Sequence, residues 1–470
     1  GKLCVSSHQC FSFLVERKAL MLTQLALHSD RLSCTYKLNP PEIKPMSKND
    51  KQQALVPRLR FPEFRGDKGW QLPRLSDLYD FKRTNTLSRD KLNYEIGTIK
   101  NIHYGDIHTK FRALFRVEDE HVPYVNPDLS EHAFDDDDYC EEGDIVLADA
   151  SEDLNDVGKA IEILSLDGQR IVAGTHTILA TRRGREPILG FGGYLFQSAA
   201  VRAEIQKEAQ GVKVYGISAN RISSISLPLP STPAEQQKIA DCLSSLDDLI
   251  AAEERKLAAL RDHKKGLMQQ LFPREGETRP RLRFPEFRNA GEWKPQAIEE
   301  LCEILNNRRI PITSSDRAPG PYPYYGASGI VDYINDYIFD ERLVLVGEDG
   351  AKWKAFEPTA FIADGKYWVN NHAHVLKPVG IIDTLLVSYL TLMDVGKYVT
   401  GTAPPKLTLK KLRAIPIPVP PLDEEQQRIA NCLSFLDALI DAQTKKLDAL
   451  RRHKRGLMQQ LFPSPEADES

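Results

Sequence analysis

Pro228–Pro273 reads PLPSTPAEQQKIADCLSSLDDLIAAEERKLAALRDHKKGLMQQLFP, and Pro418–Pro463 repeats it as PVPPLDEEQQRIANCLSFLDALIDAQTKKLDALRRHKRGLMQQLFP, with 30 of 46 aligned positions identical. In the first copy the apolar residues are Ile239, Leu243, Leu246, Ile250, Leu257, Leu260, Leu267 and Leu271. Glu253 and Lys264 fill the gaps in an alternation of four and three. The second copy gives Ile429, Leu433, Leu436, Ile440, Leu447, Leu450, Leu457 and Leu461, with Gln443 and Lys454 as its polar layers. A period of 3.5 residues keeps such a seam on one side of a supercoil, and a polar layer fixes its register. Two matching seams predict two long helices packed on each other, antiparallel, in preference to helices lying on their own domains. Forty residues, 232–271, would span ~60 Å. Pro233 sits where a missing N–H costs little, and Pro273 and Pro463 end the two helices.

A second repeat frames the first. PRLRFPEFR occurs at Pro57–Arg65 and again at Pro280–Arg288, with Trp70 matching Trp293 and Leu78 matching Leu301. Between the repeated blocks lie two unlike segments, roughly 74–224 and 302–414. Self-similarity on this scale points to tandem duplication. The expected plan is an upstream extension or tail over 1–45, a first domain over 46–231 and a helix over 232–273. A second domain over 274–421, a second helix over 422–463 and a tail over 464–470 complete it. The unlike segments read as mixed α/β. Alternation and β-branched content predict strands at Asp144–Ala148, Gln169–Ala173, Thr175–Ala180, Arg342–Val346, Thr359–Ile362 and His374–Leu376. Helices are predicted at Gly193–Ala209 and Ile382–Met393. The acidic run Asp135–Asp138 reads as a solvated loop.

Composition narrows the class. The 470 residues carry 62 Lys+Arg against 66 Asp+Glu, a formal net charge of −4. This argues against a protein that coats nucleic acid by bulk charge, though not against a sequence reader with local basic surfaces. No run approaches the ~18 apolar residues of a membrane helix. The 7 cysteines are scattered without a C-x-x-C pair, which suits reduced thiols in a cytoplasm. Met46 is the first good start position; an extra helix over Val15–Leu27 is the other reading of the leader.

The order of unlike domain, PxPxxxEQQxIA helix ending in GLMQQLFP, second unlike domain and second such helix resembles the specificity subunit of type I restriction–modification systems. The carrying residues are Pro228–Pro230 with Glu235–Ala240, Pro418–Pro420 with Glu425–Ala430, and the ends Gly266–Pro273 and Gly456–Pro463. The resemblance covers roughly residues 55–463, and the RLRFPEFR-x-W opening is typical of the family too. It implies an α+β protein: two mixed α/β target-recognition domains held apart by two long antiparallel coiled-coil helices in a pseudo-two-fold internal repeat. Each domain would read one half of a bipartite double-stranded DNA site, and the helices would set the gap. The helices would also dock methyltransferase and motor–nuclease restriction subunits. The chain itself would carry no catalysis and no cofactor. S-adenosylmethionine, ATP and Mg²⁺ are expected in the partner subunits.

Reading base edges needs paired donors and acceptors, whereas phosphate contacts position the protein. In the first domain the candidates are His103, Tyr104, Asp106, His108 and Lys110 of IHYGDIHTK, then Lys159, His176, Lys213 and Tyr215. In the second they are Tyr324, Tyr325, Lys352, Lys366, Asn370, Asn371, His372, His374 and Lys406. Catalytic signatures fail one by one. Asn39–Pro40–Pro41 is followed by Glu42 where an amino-methyltransferase motif has an aromatic residue, and Gly190–Gly193 (GFGG) is not a dinucleotide fingerprint. Glu348, Asp349 and Lys352 read as a turn ending a strand, and His372 with His374 would make a poor metal site. A coiled-coil assembly scaffold with protein-binding α/β heads is the other class this pattern admits.

Overall fold

The computed structural model describes residues 55–130, 134–402 and 404–463. The expected extension over 1–45 and the tail over 464–470 lie outside the described residues. Two compact units are present among the described residues: 55–254 with 445–463 (the first unit), and 255–444 (the second). Each long helix is thus divided between them.

The first unit runs β1 (Tyr79–Lys82), β2 (Leu92–Asn93), β3 (Ile99–Ile102), α1 (Tyr104–Thr109), β4 (Leu114–Arg116), β5 (Tyr124–Val125), β6 (Ile145–Ala148) and β7 (Ala150–Ser151). It continues with β8 (Ala160–Ser165), β9 (Arg170–Ala173), β10 (Thr177–Arg182), α2 (Gly192–Gln197), α3 (Ala199–Glu208) and β11 (Tyr215–Gly216), before α4 (Pro233–Leu271). A five-stranded sheet has the order β1-β10-β6-β8-β4, a four-stranded sheet the order β2-β5-β3-β9, and β11 pairs with β7. Strand β6 is buried along its whole length because both its faces are covered. Ile145 and Leu147 face a core with Trp70, Tyr194 and Leu243, while Val146 and Ala148 face Phe115, Ile163 and Leu179, as a two-residue period requires.

The second unit contains β12 (Lys294–Ala297), β13 (Cys302–Ile304), β14 (Pro319–Gly326), β15 (Gly329–Ile334), β16 (Phe339–Asp340), β17 (Leu343–Gly347) and β18 (Ala360–Ala363). After these come β19 (Lys366–Val369), β20 (Ala373–Pro378), α5 (Asp383–Leu392), β21 (Pro416–Val419) and the start of α6 (Asp423–Leu461). Its sheets are β13-β20-β17-β18, β15-β14-β19-β16 and the pair β12-β21. Here β17 is the doubly covered strand: Val344 and Val346 enter the core with Trp293 and Leu433, and Leu343 and Leu345 the one with Phe339 and Tyr367.

None of the sixteen seam residues is exposed. In the first unit Lys454 Nζ lies 2.6 Å from Asp247, Arg451 2.7 Å from Glu254 and Lys446 2.9 Å from Glu253. In the second, Lys264 pairs with Asp437. The charged seam positions Glu253, Lys264 and Lys454 are therefore ion-paired.

A buried clamp fixes each helix start. Arg60 donates to both carboxylate oxygens of Glu235 at 2.8 and 2.7 Å, and Trp70 Nε1 donates to the same group at 3.2 Å. Gln236 then accepts from the Ile188 N–H at 2.9 Å. The second unit repeats the arginine and glutamine contacts: Arg283 donates to Glu425 at 2.7 Å through Nε and Nη2, and Gln426 accepts from the Ile382 N–H at 3.2 Å. The FPEF and LFP ends are tied as well. Leu59 N–H donates to Gln460 C=O at 2.9 Å, as Leu282 does to Gln270, while Trp70 packs edge-on against Phe462 and Trp293 against Phe272.

Two expectations change, and a third segment gains a structural role. The helix predicted at Gly193–Ala209 breaks at Ser198, whose hydroxyl donates to Leu195 C=O and accepts from Val201 N–H, so α2 and α3 are separate. The run Asp135–Asp138 is not simply solvated: Asp138 is buried and binds Arg83. The GFGG turn is a cradle, where Gly190 and Gly193 donate to the buried Glu162 carboxyl at 2.9 and 2.7 Å. A side chain at Gly193 would meet Ala113 C=O at 2.8 Å. Burial pushes Glu162 up to about 7.

Candidate nucleic-acid interface

In the first unit, His103 caps α1 by accepting from Gly105 N–H at 3.1 Å. The helix carries Asp106 inward, where Arg89 (2.7 Å) and Lys110 (2.8 Å) bind its carboxylate. Burial would raise Asp106, but these hydrogen bonds outweigh it and hold the carboxyl below its ordinary value. Burial, with the Arg89 charge, lowers His103. The Tyr104 ring stacks on His103 at 4.7 Å and meets His176 edge-on at 5.3 Å. Tyr94 joins the group, accepting from Lys110 at 3.0 Å and stacking on His121 at 4.4 Å.

Seven candidates are thus brought near α1 or onto it. Lys110 and His176 are exposed, whereas His103 and Asp106 are buried and act as supports. Lys159 and His108 are half-buried and engaged by backbone: Lys159 donates to His108 C=O at 2.6 Å, and His108 Nε2 bonds Ala150 C=O at 3.0 Å. Tyr215 lies in β11, which pairs with β7 next to Asp149, and Lys213 is exposed in the loop before it. Arg89, Tyr94 and His121 were missed by sequence reasoning, since nothing local marks them.

The second unit gathers its candidates around Glu348, just past β17. Arg309 binds this carboxylate at 2.6 Å and Lys406 at 2.8 Å. Burial opposes its ionisation, but the two cations prevail and hold Glu348 below its ordinary value. Lys406, expected to be available for a phosphate, is engaged here and also lies 3.7 Å from Asp349. Asn370 is buried and accepts from His372 N–H at 2.8 Å, leaving Asn371 and His372 exposed. His372 pairs with Asp349. Lys352 and Lys366 are exposed, the latter 4.6 Å above the Tyr337 ring. Tyr325 is half-buried between Phe361 and Tyr367.

Tyr324 and His374 are corrections. Tyr324 is 1% exposed and its hydroxyl bonds the Ile312 backbone. His374 is 0% exposed, with Nε2 donating to Leu407 C=O at 2.7 Å and Nδ1 meeting Asn306 at 2.8 Å. Both are core residues, with no surface to offer a duplex. His372 precedes β20 and His374 points into the unit, so the two do not form one site. Among the described residues, no group of three or more His, Cys, Asp or Glu side chains could hold a metal ion.

Exposed cations and imidazoles over aromatic rings, on a scaffold of buried ion pairs, make a surface suited to polyanion contact. The family model for the type I restriction modification DNA specificity domain matches residues 67–262 and again 290–452. The chain belongs to this family. It is 41% identical over 149 residues to a protein named as a type I restriction enzyme specificity subunit from Haemophilus influenzae, covering 32% of this chain and 38% of that one. It is also 26% identical over 266 residues to one named as the MjaX specificity subunit of Methanocaldococcus jannaschii, covering 54% of this chain and 62% of that relative. The aligned region therefore spans less than two thirds of either curated relative. Among solved structures, the S subunit of a type I restriction–modification system from M. genitalium superimposes with a TM-score of 0.57 at 17% identity, over 87% of this chain and 99% of that one. That likeness concerns the fold. The described helices include none long and apolar enough to cross a membrane.

Proposed function

We propose that the chain is the DNA-recognition subunit of a cytoplasmic type I restriction–modification complex, with each unit reading one half of a bipartite site. The observation that carries the proposal is the pairing of unlike with like. Two α/β units differ in sequence and surface, yet each is clamped to its helix by the same Arg–Glu pair, Arg60–Glu235 and Arg283–Glu425. Interchangeable readers on a constant frame are what a split site needs. The two long helices act as an antiparallel coiled coil that sets the gap, a reading supported by the seam ion pairs Lys454–Asp247 and Lys264–Asp437. The duplicated frame supplies two equivalent docking surfaces for methyltransferase subunits, to which motor–nuclease restriction subunits add. The chain works without chemistry of its own. Its partners use S-adenosylmethionine to methylate adenine and ATP with Mg²⁺ to act on unmethylated sites.

Selection from random duplexes, with the partner methyltransferase present, should enrich a two-part sequence with a fixed gap; enrichment of none would end this reading. Exchanging residues 74–224 for another such segment should change one half-site only. Lengthening both helices by two heptads should lengthen the gap, and an unchanged gap would remove the spacer role.

A further inference from the structure

One further detail recurs in the two unlike segments, at the ends of β6 and β17. In the first unit β6 ends at Ala148, paired with Thr177 at the start of β10. Just beyond, Asp149 N–H donates to His176 C=O at 3.0 Å. In the second unit β17 ends at Gly347, paired with Ala373 at the start of β20, and Glu348 N–H donates to His372 C=O at 2.8 Å. A third segment agrees: Ile217 N–H donates to Asp149 C=O at 2.8 Å, and Leu407 N–H to Glu348 C=O at 2.7 Å. His176 and His372 therefore occupy one topological position.

Their chemistry matches too. The side chains are 57% and 51% exposed, and Nδ1 lies 3.2 Å from Asp149 in one and 2.5 Å from Asp349 in the other. In the second unit the carboxylate comes one residue later in the chain. An ionised carboxylate only accepts, so Nδ1 carries the proton and Nε2 is the ring's remaining polar atom. His176 also adopts φ 54°, a region few residues other than glycine enter. The surroundings differ: the Tyr104 ring lies beside His176, while Lys406 and Arg309 reach the Asp349 carboxylate and the Asn371 carbonyl beside His372.

Residues that read different bases should differ between the heads, while a feature common to both suits what every half-site shares, the sugar–phosphate backbone. We propose that His176 and His372 are equivalent phosphate-contacting residues, one in each head, each held by its aspartate through Nδ1–H and donating from Nε2–H as the doubly protonated imidazolium, the form that an aspartate and a phosphate together favour. The proposal rests on the DNA-reading function above.

The test uses the full chain with its partner methyltransferase, a random-duplex pool, and then the enriched duplex beside a shuffled one across a range of salt. His176→Ala and His372→Ala should each weaken binding to both duplexes by a similar factor, roughly tenfold. Base preference should stay unchanged, and each variant should lower the salt slope by ~0.9. Because both side chains lie on the surface, thermal unfolding should match the parent protein and separate lost contact from lost fold. Wild-type affinity and slope in the variants would overturn the proposal, and so would a preference relaxed at one base pair, which marks a base reader. If the unmodified protein enriches no sequence at all, the DNA-reading function falls and takes this proposal with it.

Discussion

The two units clamp their helices alike and treat their buried carboxylates in opposite ways. Arg60 with Glu235 and Arg283 with Glu425 are both nearly sealed from water, the glutamates at 1% side-chain exposure. Beyond the clamp the units diverge. The first keeps Glu162 buried against two backbone N–H groups, and burial pushes it up to about 7. The second surrounds Glu348 with Arg309 and Lys406, which hold it down despite burial. A constant frame and variable interiors teach that the body of each unit can diverge while the attachment to the helix is kept.

The largest effect should come from breaking the attachment itself. Arg60→Ala leaves Glu235 buried without its cation, a loss of about 3–5 kcal/mol. Arg283→Ala should do the same to the second unit. Hydrogen exchange resolved by peptide should show each variant loosening its own unit first. Equal loosening of both units by either variant would break the comparison.

Next comes pH, with the buried Glu162 and Glu348 responding in opposite directions. Glu162 has its folded value raised above the ordinary 4.5. Its contribution is fully present below 4.5 and lost as pH rises through about 7, a change of roughly 3 kcal/mol at most. Asp144, pushed up to about 6 by burial, acts in the same direction. Glu348 is lowered, so its contribution is present above the ordinary value and lost as acid protonates it. Urea unfolding across this range should show the first unit weakening on the alkaline side. Glu162→Gln, an uncharged isostere, should flatten that slope; an unchanged slope would assign the effect elsewhere.

Much of the frame was legible because it is periodic. None of the sixteen apolar positions of the four-three spacing is exposed, and Lys264 and Lys454 in the same spacing are ion-paired. The strands β6, β9, β10, β17, β18 and β20 lie within a few residues of the predicted runs. The clamp was not legible as a clamp: Arg60 and Glu235 stand 175 residues apart, and repetition marks such residues without saying what they touch. The candidate interface was half legible. The candidates His176 and His372 lie on the surface, but Tyr324 and His374 turned inward, because neighbouring residues on a strand face opposite sides and sequence alone did not say which side was core. Arg89 opens a single 3-10 turn and Arg309 follows another, and only tertiary contact gives them roles.

The smallest expected difference concerns the seam lysines. Lys454 reaches Asp247, which is 33% exposed and also accepts from the Tyr194 hydroxyl at 2.8 Å. Lys264 reaches Asp437, which is 46% exposed. A carboxylate nearer water loses less when its cation is removed. Lys454→Met should therefore cost about 1 kcal/mol and Lys264→Met less, within the range measured for partly exposed pairs. Calorimetry of the two variants checks the order. The reverse order would mean that the Tyr194 hydroxyl, by sharing Asp247, already offsets the lost lysine, and that the two seam pairs are equivalent in position but not in energy.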